Sequence, residues 1–177
     1  GMTGEEIKKY INQIAFSGAT EFVEKFKDKG DAKDIIGKFG LGFYSSFMVA
    51  DTVEVISKSF KEGTEGAKWE CDGSTEFELR PSEKTTRGTD VILHINADSE
   101  EFLDEFRLKG ILEKYCKFLP VEIKFGTKED SVEDGVDKDN KPKYTTVTSD
   151  RIINNTSPIW TKAPLELKDE DYLAFYK

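Results

Sequence analysis

Three glycines between Gly37 and Gly42 follow the spacing G-x-x-G-x-G, and they have the clearest potential for chemistry in this sequence of 177 residues. Glycine adopts positive φ angles at little cost and lets another group approach the backbone closely. A helix is predicted directly after this loop, so free N–H groups and the positive helix end can face an anion such as phosphate. The Walker and dinucleotide-binding patterns are both absent. Taken alone, the spacing leaves two interpretations open: a phosphate-binding loop, or a tight turn that packs a helix.

The other reactive side chains predict no catalytic residue and no metal site. Cys71 and Cys116 are not in a paired spacing, and two cysteines with one histidine are too few for a zinc cage. We expect two reduced thiols. His94 lies in a predicted strand without a Ser, Cys or Asp spacing that would suit catalysis, and we expect it to be structural.

The composition fits one globular domain, or one domain with the start of another. Apolar residues make up 37% of the chain and charged residues 34%, which is enough for a single core. The net charge of −9 argues against a nucleic-acid partner, because neutralising phosphates requires clustered Lys and Arg. No apolar run approaches the roughly 20 residues of a membrane span. The acidic, amphipathic start is unlike a secretory signal, so we expect a cytoplasmic protein.

Hydrophobic periodicity predicts the elements that surround the glycine loop. Apolar residues at three- and four-residue spacings predict helix over residues 4–27, with a break at Ser17 and Gly18. Residues 43–50 predict a short buried helix. The pattern then alternates, which predicts four strands joined by short turns as an antiparallel meander. These strands span residues 52–58, 67–71, 75–80 and 89–95.

The second half of the chain begins with a predicted helix over residues 99–118, which Pro120 ends, and a strand over 121–125. Residues 127–143 are almost entirely Lys, Asp, Glu, Gly and Asn, and they bury too little apolar surface to become ordered. A further helix is predicted to begin near Lys168. The predicted organisation is a domain over residues 1–126, a charged flexible loop or linker over 127–150, and the start of another domain over 151–177.

The neighbourhood of the glycine loop resembles a signature of the 90-kDa heat-shock chaperones. Residues 36–47 (IGKFGLGFYSSF) match that signature almost letter for letter. Other segments resemble the family in one unbroken order along essentially the whole chain: residues 14–18, 87–89, 118–121, 157–161 and 169–177. The short linker is similar to that of the bacterial branch.

The resemblance implies an α+β fold, a truncated Bergerat-type α/β sandwich with a mainly antiparallel sheet, in which residues 151–177 begin the middle domain. It implies an ATP-dependent chaperone that uses ATP or ADP with magnesium and remodels unfolded or client proteins. The intact protein would be a homodimer, with no nucleic-acid or membrane partner. Two alternatives stay open: another ATPase or kinase of the same fold superfamily, and a non-catalytic interaction domain in which the loop merely packs.

The resemblance also implies a set of nucleotide-binding residues in this sequence. Met2 would pack on the adenine, and Thr89 would reach it by its hydroxyl or through water. The mobile lid would include Ser17 and Gly18. The phosphate side would be lined, largely through backbone N–H groups, by Gly37, Phe39, Gly40, Leu41, Gly42 and Phe43. Phe16 stands where the family usually has a Lys, and Asn12 stands near a usual Gly, which puts phosphate contacts from the lid in doubt.

The catalytic Glu, the magnesium-binding Asn and the adenine-reading Asp of the family have no counterparts in this sequence. The start, Gly1-Met2-Thr3, resembles the last residues of the family's Asp-x-Gly-x-Gly stretch. Gly1 could equally be a tag remnant before a native Met2. Losing one such polar group costs roughly a hundredfold or more in rate. We therefore expect this fragment neither to hydrolyse ATP nor to bind it tightly, and to expose apolar surface at a sheet edge.

Overall fold

The computed structural model describes residues 1–13, 37, 40–136 and 142–175. The chain divides into two compact units, residues 1–103 and 104–177, which we call the sheet unit and the hairpin unit. The predictions for residues 14–36, which include Phe16, Ser17 and Gly18, lie outside the described residues, as does Phe39. Among the helices that the structure describes, none is long and apolar enough to cross a bilayer.

The sheet unit is built on four antiparallel strands in the order β3-β2-β1-β4. They span Ala50–Lys58 (β1), Gly66–Cys71 (β2), Glu78–Ser82 (β3) and Gly88–Ile95 (β4). The predictions for β1, β2 and β4 are confirmed almost to the residue. β3 begins later than predicted because a local turn comes first, in which Ser74 N–H donates to Asp72 Oδ1 and Glu76 N–H donates to Ser74 Oγ.

The topology corrects the predicted meander in its last step, because β4 pairs with β1 rather than with β3. β1 has the longest run of buried alternating residues and therefore takes a central position between β2 and β4. β3 contains Pro81, which has no N–H to donate, flanked by charged residues. Such a strand is suited to a sheet edge.

One face of the sheet carries the core of this unit. Val53, Val55 and Ser57 of β1 are fully buried, while the residues between them are partly exposed, as expected for a strand covered on one face. The helix α1 (Gly4–Tyr10) contacts β2 and β3 and adds Ile7, whose exposure is 0%. The buried apolar residues form one cluster: Ile7, Ala50, Val53, Val55, Ala67, Trp69 and Cys71.

α1 begins at a capping box in which Thr3 and Glu6 each accept a hydrogen bond from the other's backbone N–H. Lys61, from the turn after β1, donates to Glu6 Oε1 at 2.7 Å and lowers the pKa of that carboxyl, with help from the Thr3 backbone. These contacts fix the start of α1 against the sheet, so the first residues of the chain have a defined place.

The segment after the glycine loop is a 3₁₀ helix, Gly42–Met48. A short buried helix is predicted there, and the prediction of buried residues is wrong. Phe43 and Phe47 pack against the core cluster, but Met48 is 78% exposed. A 3₁₀ helix has three residues per turn and places only some of its side chains on one neighbour.

The hairpin unit begins with the helix α2 (Glu105–Cys116), whose N-cap Asp104 accepts a hydrogen bond from Arg107 N–H. The predicted helix over residues 99–118 is therefore split. A separate 3₁₀ helix, Ala97–Leu103, ends the sheet unit before Asp104. An aspartate is a favoured N-cap because its carboxylate satisfies a free N–H of the first turn.

The predicted flexible loop over residues 127–143 is wrong for its described residues. The strands β5 (Lys124–Val136) and β6 (Pro142–Ile152) pair as an antiparallel two-stranded ribbon. Side chains pair within this ribbon, since Lys128 contacts Asp130 at 2.9 Å and Thr145 Oγ1 donates to Asp134 Oδ2 at 3.0 Å. Both faces of the ribbon are largely exposed, so polar residues can occupy every position and no alternating pattern marks the strands.

Two polar side chains join the base of the ribbon to its surroundings. The Arg151 guanidinium donates to Phe125 O and to Glu105 Oε1 of α2, both at 2.6 Å. The carboxamide of Asn154 donates to Leu119 O and Val121 O and accepts from Ile123 N–H, at 2.7 to 2.8 Å. These bonds connect α2, the turn after it and both strands.

The tail contributes two short 3₁₀ helices, Ile159–Thr161 and Pro164–Glu166, and the helix α3 (Asp169–Phe175). Phe118, Trp160 and Phe175 form a cluster of three rings with centroids 4.7 to 6.0 Å apart. Residues 104–126 belong to this compact unit, and the predicted domain boundary at residue 126 stays a prediction. The assignment of residues 151–177 to a middle domain stays a prediction.

Candidate functional site

Ser57 connects two of the predicted adenine-side residues. The backbone N–H of Met2 donates to Ser57 Oγ at 2.6 Å, and the hydroxyls of Ser57 and Thr89 lie 2.7 Å apart. This contact follows from the pairing of β1 with β4, which places Ser57 directly opposite Thr89. The structure therefore brings Met2 and Thr89 to one place.

Gly1 fits against the ends of β1 and β4. A Cβ atom on Gly1 would lie 2.1 Å from Lys58 O and 2.5 Å from Gly88 O, both rigid backbone atoms. No side chain fits in that space. The N-terminal residues and the Ser57 hydroxyl thus form one close-packed corner of the sheet unit, and we call Met2, Ser57 and Thr89 the serine corner.

The glycine loop has a different character from the serine corner. Gly37 and Gly40 have φ angles of 79° and 64°, which side chains rarely adopt. A Cβ at Gly37 or at Gly42 would meet nothing within 4 Å, and Leu41 is 50% exposed. Close packing against described residues therefore does not account for the glycines at positions 37 and 42.

Phe43 anchors the end of this loop on the core. Its ring contacts Trp69 edge-on, with centroids 5.7 Å apart, and also contacts Tyr44 and Phe47. The Tyr44 hydroxyl donates to Ile11 O at 2.5 Å, and partial burial raises the pKa of the phenol. This packing makes Phe43 a residue that positions the loop, in addition to its predicted place beside phosphate.

Phe43, directly after the glycine loop, and the serine corner lie on one face of the sheet. Trp69, the ring beneath Phe43, is paired with Val55, and Ser57 is the next residue of β1 on that face. Two residues of a strand span roughly 7 Å. Phe43, just after the loop, and Met2 of the serine corner therefore pack on the same core cluster, beside the middle and the end of β1.

Sequence reasoning missed Ser57, although a signal was present. The residue continues the buried positions of Val53 and Val55 in an alternating strand, where an apolar side chain is expected. A serine in such a place must find hydrogen-bond partners. Here it finds the Met2 N–H, Thr89 Oγ1 and, at 3.4 Å, Gly88 O.

A mainly apolar cavity of about 470 Å³ lies beside the anchor of the loop. Its walls include Tyr44, Phe47, Trp69 and Phe77. Trp69 and Phe77 stack 6.5 Å apart, and the Trp69 indole N–H donates to Asn12 Oδ1 at 2.8 Å. This lining suits apolar atoms rather than phosphate. Asn12, which departs from the family pattern, thus has a structural role in holding Trp69.

The chain is similar to known proteins over its whole length. The family model described as Hsp90 protein matches residues 126–177. The chaperone protein HtpG of Bacteroides fragilis is 56% identical over 177 residues, which is 100% of this chain and 24% of that protein. The HtpG of Porphyromonas gingivalis is 53% identical with the same coverage. That of Bacillus subtilis is 42% identical over 99% of this chain and 28% of its own length.

These relatives are named as chaperones, and the mixed α+β structure with its mainly antiparallel sheet is consistent with the Bergerat-type fold of the Hsp90 N-terminal domain. The chain belongs to the Hsp90 family. It spans about a quarter of the length of the HtpG relatives that it matches.

Proposed function

We propose that this chain forms one side of the nucleotide site of an ATP-dependent chaperone. The glycine loop would face the phosphates, and the serine corner would face the adenine. The groups that orient the attacking water, hold magnesium and read the adenine amino group would come from polypeptide outside these 177 residues. ATP or ADP with magnesium would be the ligand, and the protein would act on unfolded or client proteins in the cytoplasm as a homodimer.

The observation that carries this proposal is the glycine at position 42. Gly42 does not have a positive φ angle, and a Cβ at this position would meet nothing within 4 Å. Neither backbone strain nor packing against described residues requires a glycine. Gly110 shares these two features, but Gly42 differs in lying at the end of the glycine loop and at the start of a 3₁₀ helix, where a ligand can approach the backbone closely and N–H groups suit phosphate oxygens.

The serine corner supports the adenine side of the proposal. The Ser57 and Thr89 hydroxyls are already hydrogen-bonded to each other, and a hydroxyl has one donor and two acceptor lone pairs. Thr89 is more than a third exposed, so its remaining capacity can serve a ligand directly or through water. Ser57 would be a positioning residue, because it holds Met2 and Thr89 together without facing solvent.

A chimera tests the proposal. This chain would replace the matching quarter of the Bacteroides fragilis HtpG, which supplies the remaining groups of the site. ADP affinity would be measured by calorimetry and ATP hydrolysis by phosphate release. The isolated 177-residue chain is expected to show neither tight ADP binding nor ATP hydrolysis. Micromolar ADP affinity of the isolated chain would contradict the proposal that the other groups of the site come from outside these residues.

In the chimera, Gly42→Ala should lower ADP affinity about tenfold or more, because the added Cβ would hold the phosphate away from the backbone N–H groups, and a hydrogen bond to a charged group contributes roughly 1.5 to 3 kcal/mol. Gly110→Ala is the matched control, since Gly110 lies in α2, has no positive φ and would also hold a Cβ in open space. Equal ADP affinities for the two variants would show that the loop does not face phosphate. They would favour the non-catalytic interaction domain instead.

A further inference from the structure

The two ends of α1 lie at the two parts of the candidate site. Before its first turn, the backbone N–H of Met2 donates to Ser57 Oγ in the serine corner at 2.6 Å. At its other end, the C-cap Ile11 lies beside Tyr44, which follows the glycine loop. The seven residues of α1 span about 10 Å. One helix therefore reaches from the serine corner to the end of the loop.

Two hydrogen bonds from aromatic side chains fix the C-terminal end of α1. The last carbonyls of a helix have no partner within it, and the Tyr44 hydroxyl donates to Ile11 O at 2.5 Å. The indole N–H of Trp69 donates to Oδ1 of the next residue, Asn12, at 2.8 Å. Trp69 is 4% exposed, so its N–H depends on a partner within the protein. The first bond joins the helix end to the segment after the loop, and the second joins it to β2.

Tyr44 also holds the glycine loop, through its backbone. Its N–H donates to Leu41 O at 3.2 Å, while its ring contacts Phe43 edge-on, with centroids 5.9 Å apart. One residue thus bonds the loop with its main chain and α1 with its side chain. A displacement of the loop would move the Tyr44 hydroxyl relative to Ile11 O, and a hydrogen bond weakens steeply when its geometry is disturbed.

The body of α1 is suited to transmit such a displacement rather than absorb it. Ile7, in its middle, is fully buried in the core cluster. Its N–H donates to Thr3 O at 2.9 Å, and its carbonyl accepts from Ile11 N–H at 2.8 Å. The capping box of Thr3 and Glu6 closes the first turn. Backbone hydrogen bonds therefore connect the residue next to Met2 with Ile11.

We propose that α1 couples the serine corner to the glycine loop, with Asn12 and Tyr44 as the positioning residues that fasten the helix at the loop side. Order at one end then favours order at the other, and the coupling acts equally in both directions. Its consequence for a nucleotide rests on the proposed function: an adenine held at the corner would favour the loop arrangement that the phosphates need. The coupling itself requires only the described contacts.

Hydrogen exchange in the chimera, without nucleotide, tests the coupling. The exchange rates are measured for the amides of the 3₁₀ helix Gly42–Met48, with those of β1 and β2 as the reference. Tyr44→Phe and Asn12→Ala should each speed exchange in the 3₁₀ helix about fivefold relative to the reference, the size expected for one lost hydrogen bond. Asn12→Asp keeps an acceptor for the indole N–H and should restore slow exchange.

The variant at the opposite end of α1 is Ser57→Ala. It releases the Met2 N–H and should also speed exchange in the 3₁₀ helix Gly42–Met48, about threefold, because the coupling is reciprocal. Ser99→Ala is the matched control, since Ser99 is another buried serine of the sheet unit and lies in the 3₁₀ helix after β4. It should leave the exchange unchanged.

The variants at the loop side have matched controls of their own. Gln13→Ala removes an exposed carboxamide next to Asn12, and Tyr115→Phe removes a hydroxyl from a tyrosine that is 70% exposed. Neither change should alter the exchange of the 3₁₀ helix. Equal rates for these controls and for Asn12→Ala and Tyr44→Phe would show that the two hydrogen bonds do not fasten the loop.

A double variant separates coupling from two independent losses. If α1 connects the two ends, Ser57→Ala and Tyr44→Phe interrupt the same connection. Together they should then speed exchange by less than the product of their single effects. A full product, or no effect of Ser57→Ala on the 3₁₀ helix, would overturn the proposal. So would an equal acceleration of the β1 and β2 amides, which would indicate a general loss of stability.

ADP calorimetry on the same chimera separates this proposal from the proposed function. Tyr44→Phe should raise the ADP dissociation constant about fivefold, which is at the low end of typical coupling between sites. If the unmodified chimera binds no ADP, or if Tyr44→Phe speeds exchange without weakening ADP binding, the proposed function of the loop fails. The exchange results alone then decide the coupling.

Discussion

The sheet unit and the hairpin unit are held together by different forces. The one cluster of buried apolar side chains lies in residues 1–103, whereas in the described part of the hairpin unit Pro158 is buried outside any such cluster. In the described part of residues 104–177, α2 buries no residue fully and both faces of the ribbon are largely exposed. That unit relies on the carboxamide of Asn154, the guanidinium of Arg151 and the three-ring cluster.

The difference teaches that the candidate site belongs to the more stable part of the chain. Hydrophobic burial is the main favourable term in folding, whereas a two-stranded ribbon alone is marginal in water. The glycine loop anchor and the serine corner both rest on the buried cluster. The hairpin unit should therefore open first under denaturant, without disturbing the described part of the site.

The two tryptophans allow each unit to be followed separately, because Trp69 lies in the sheet unit and Trp160 in the hairpin unit. In a Trp160→Phe variant the fluorescence of Trp69 follows unfolding of the sheet unit. In a Trp69→Phe variant the fluorescence of Trp160 follows unfolding of the hairpin unit. Coincident urea transitions in both backgrounds would break the comparison, since they would show one cooperative unit.

The largest effect is expected for Ile7→Ala. The Ile7 side chain is fully buried in the cluster, and such a truncation typically costs about 2–5 kcal/mol of the free energy of unfolding. The loss should appear in the Trp69 transition. Lys8→Ala on the same helix removes only an exposed contact to Glu5 and should change the transition little.

A smaller effect is expected for Asn154→Ala in the hairpin unit. The change leaves the N–H of Ile123 and the carbonyls of Leu119 and Val121 without their partner, at a cost of about 1–3 kcal/mol. The Trp160 transition should move to lower urea. Asn154→Asp keeps the acceptor for Ile123 and loses both donors, so its midpoint should lie lower than that of the unmodified chain as well.

Phe118→Leu should cost about 1 kcal/mol, because it removes ring contacts to Trp160 and Phe175 while keeping apolar volume. Phe106→Leu in α2 is the control, since Phe106 is 85% exposed. Equal midpoints for the two variants in the Trp160 transition would show that the ring cluster contributes nothing specific.

The smallest effect is expected on the stability of the sheet unit at acidic pH. Hydrogen bonding from Lys68, and then from His94, holds the pKa of Glu54 below its ordinary value of 4.5. A depressed carboxyl pKa contributes stability above the unfolded pKa and loses it as the pH falls through the folded one. Glu54→Gln should therefore flatten the acid side of the stability profile of the sheet unit. The measurement is the urea midpoint of the transition followed by Trp69, as a function of pH. If Glu54→Gln leaves the slope of this midpoint against pH unchanged, the role of Glu54 is contradicted.

Sequence patterns predicted the sheet unit better than the hairpin unit, for the same physical reason. Apolar and polar residues alternate in β1 because one of its faces is buried, and such alternation can be recognised in the sequence. Its partner β4 was found as a strand but placed wrongly, since pairing between strands that are distant in sequence leaves no local trace. In β5 and β6 both faces meet water, so Lys128, Asp130 and Thr145 read as a disordered stretch.

The candidate site was predicted in part. The loop between Gly37 and Gly42 and the position of Thr89 followed from spacing and from family resemblance. Ser57 did not, because a hydroxyl at a buried strand position becomes informative only when its partners are known. The placement of Met2 depends on that same hydroxyl.

The residue at position 126 is constrained by its own backbone conformation and by the side chain of Arg151. Gly126 has a φ of 70°, and a Cβ there would lie 2.9 Å from Arg151 Nη2. The empty space at Gly126 is thus where the guanidinium passes on its way to Glu105. A side chain at position 126 would be strained by this φ and would also displace the guanidinium from its place beside Glu105, so a shorter residue at position 151 alone would not make it acceptable.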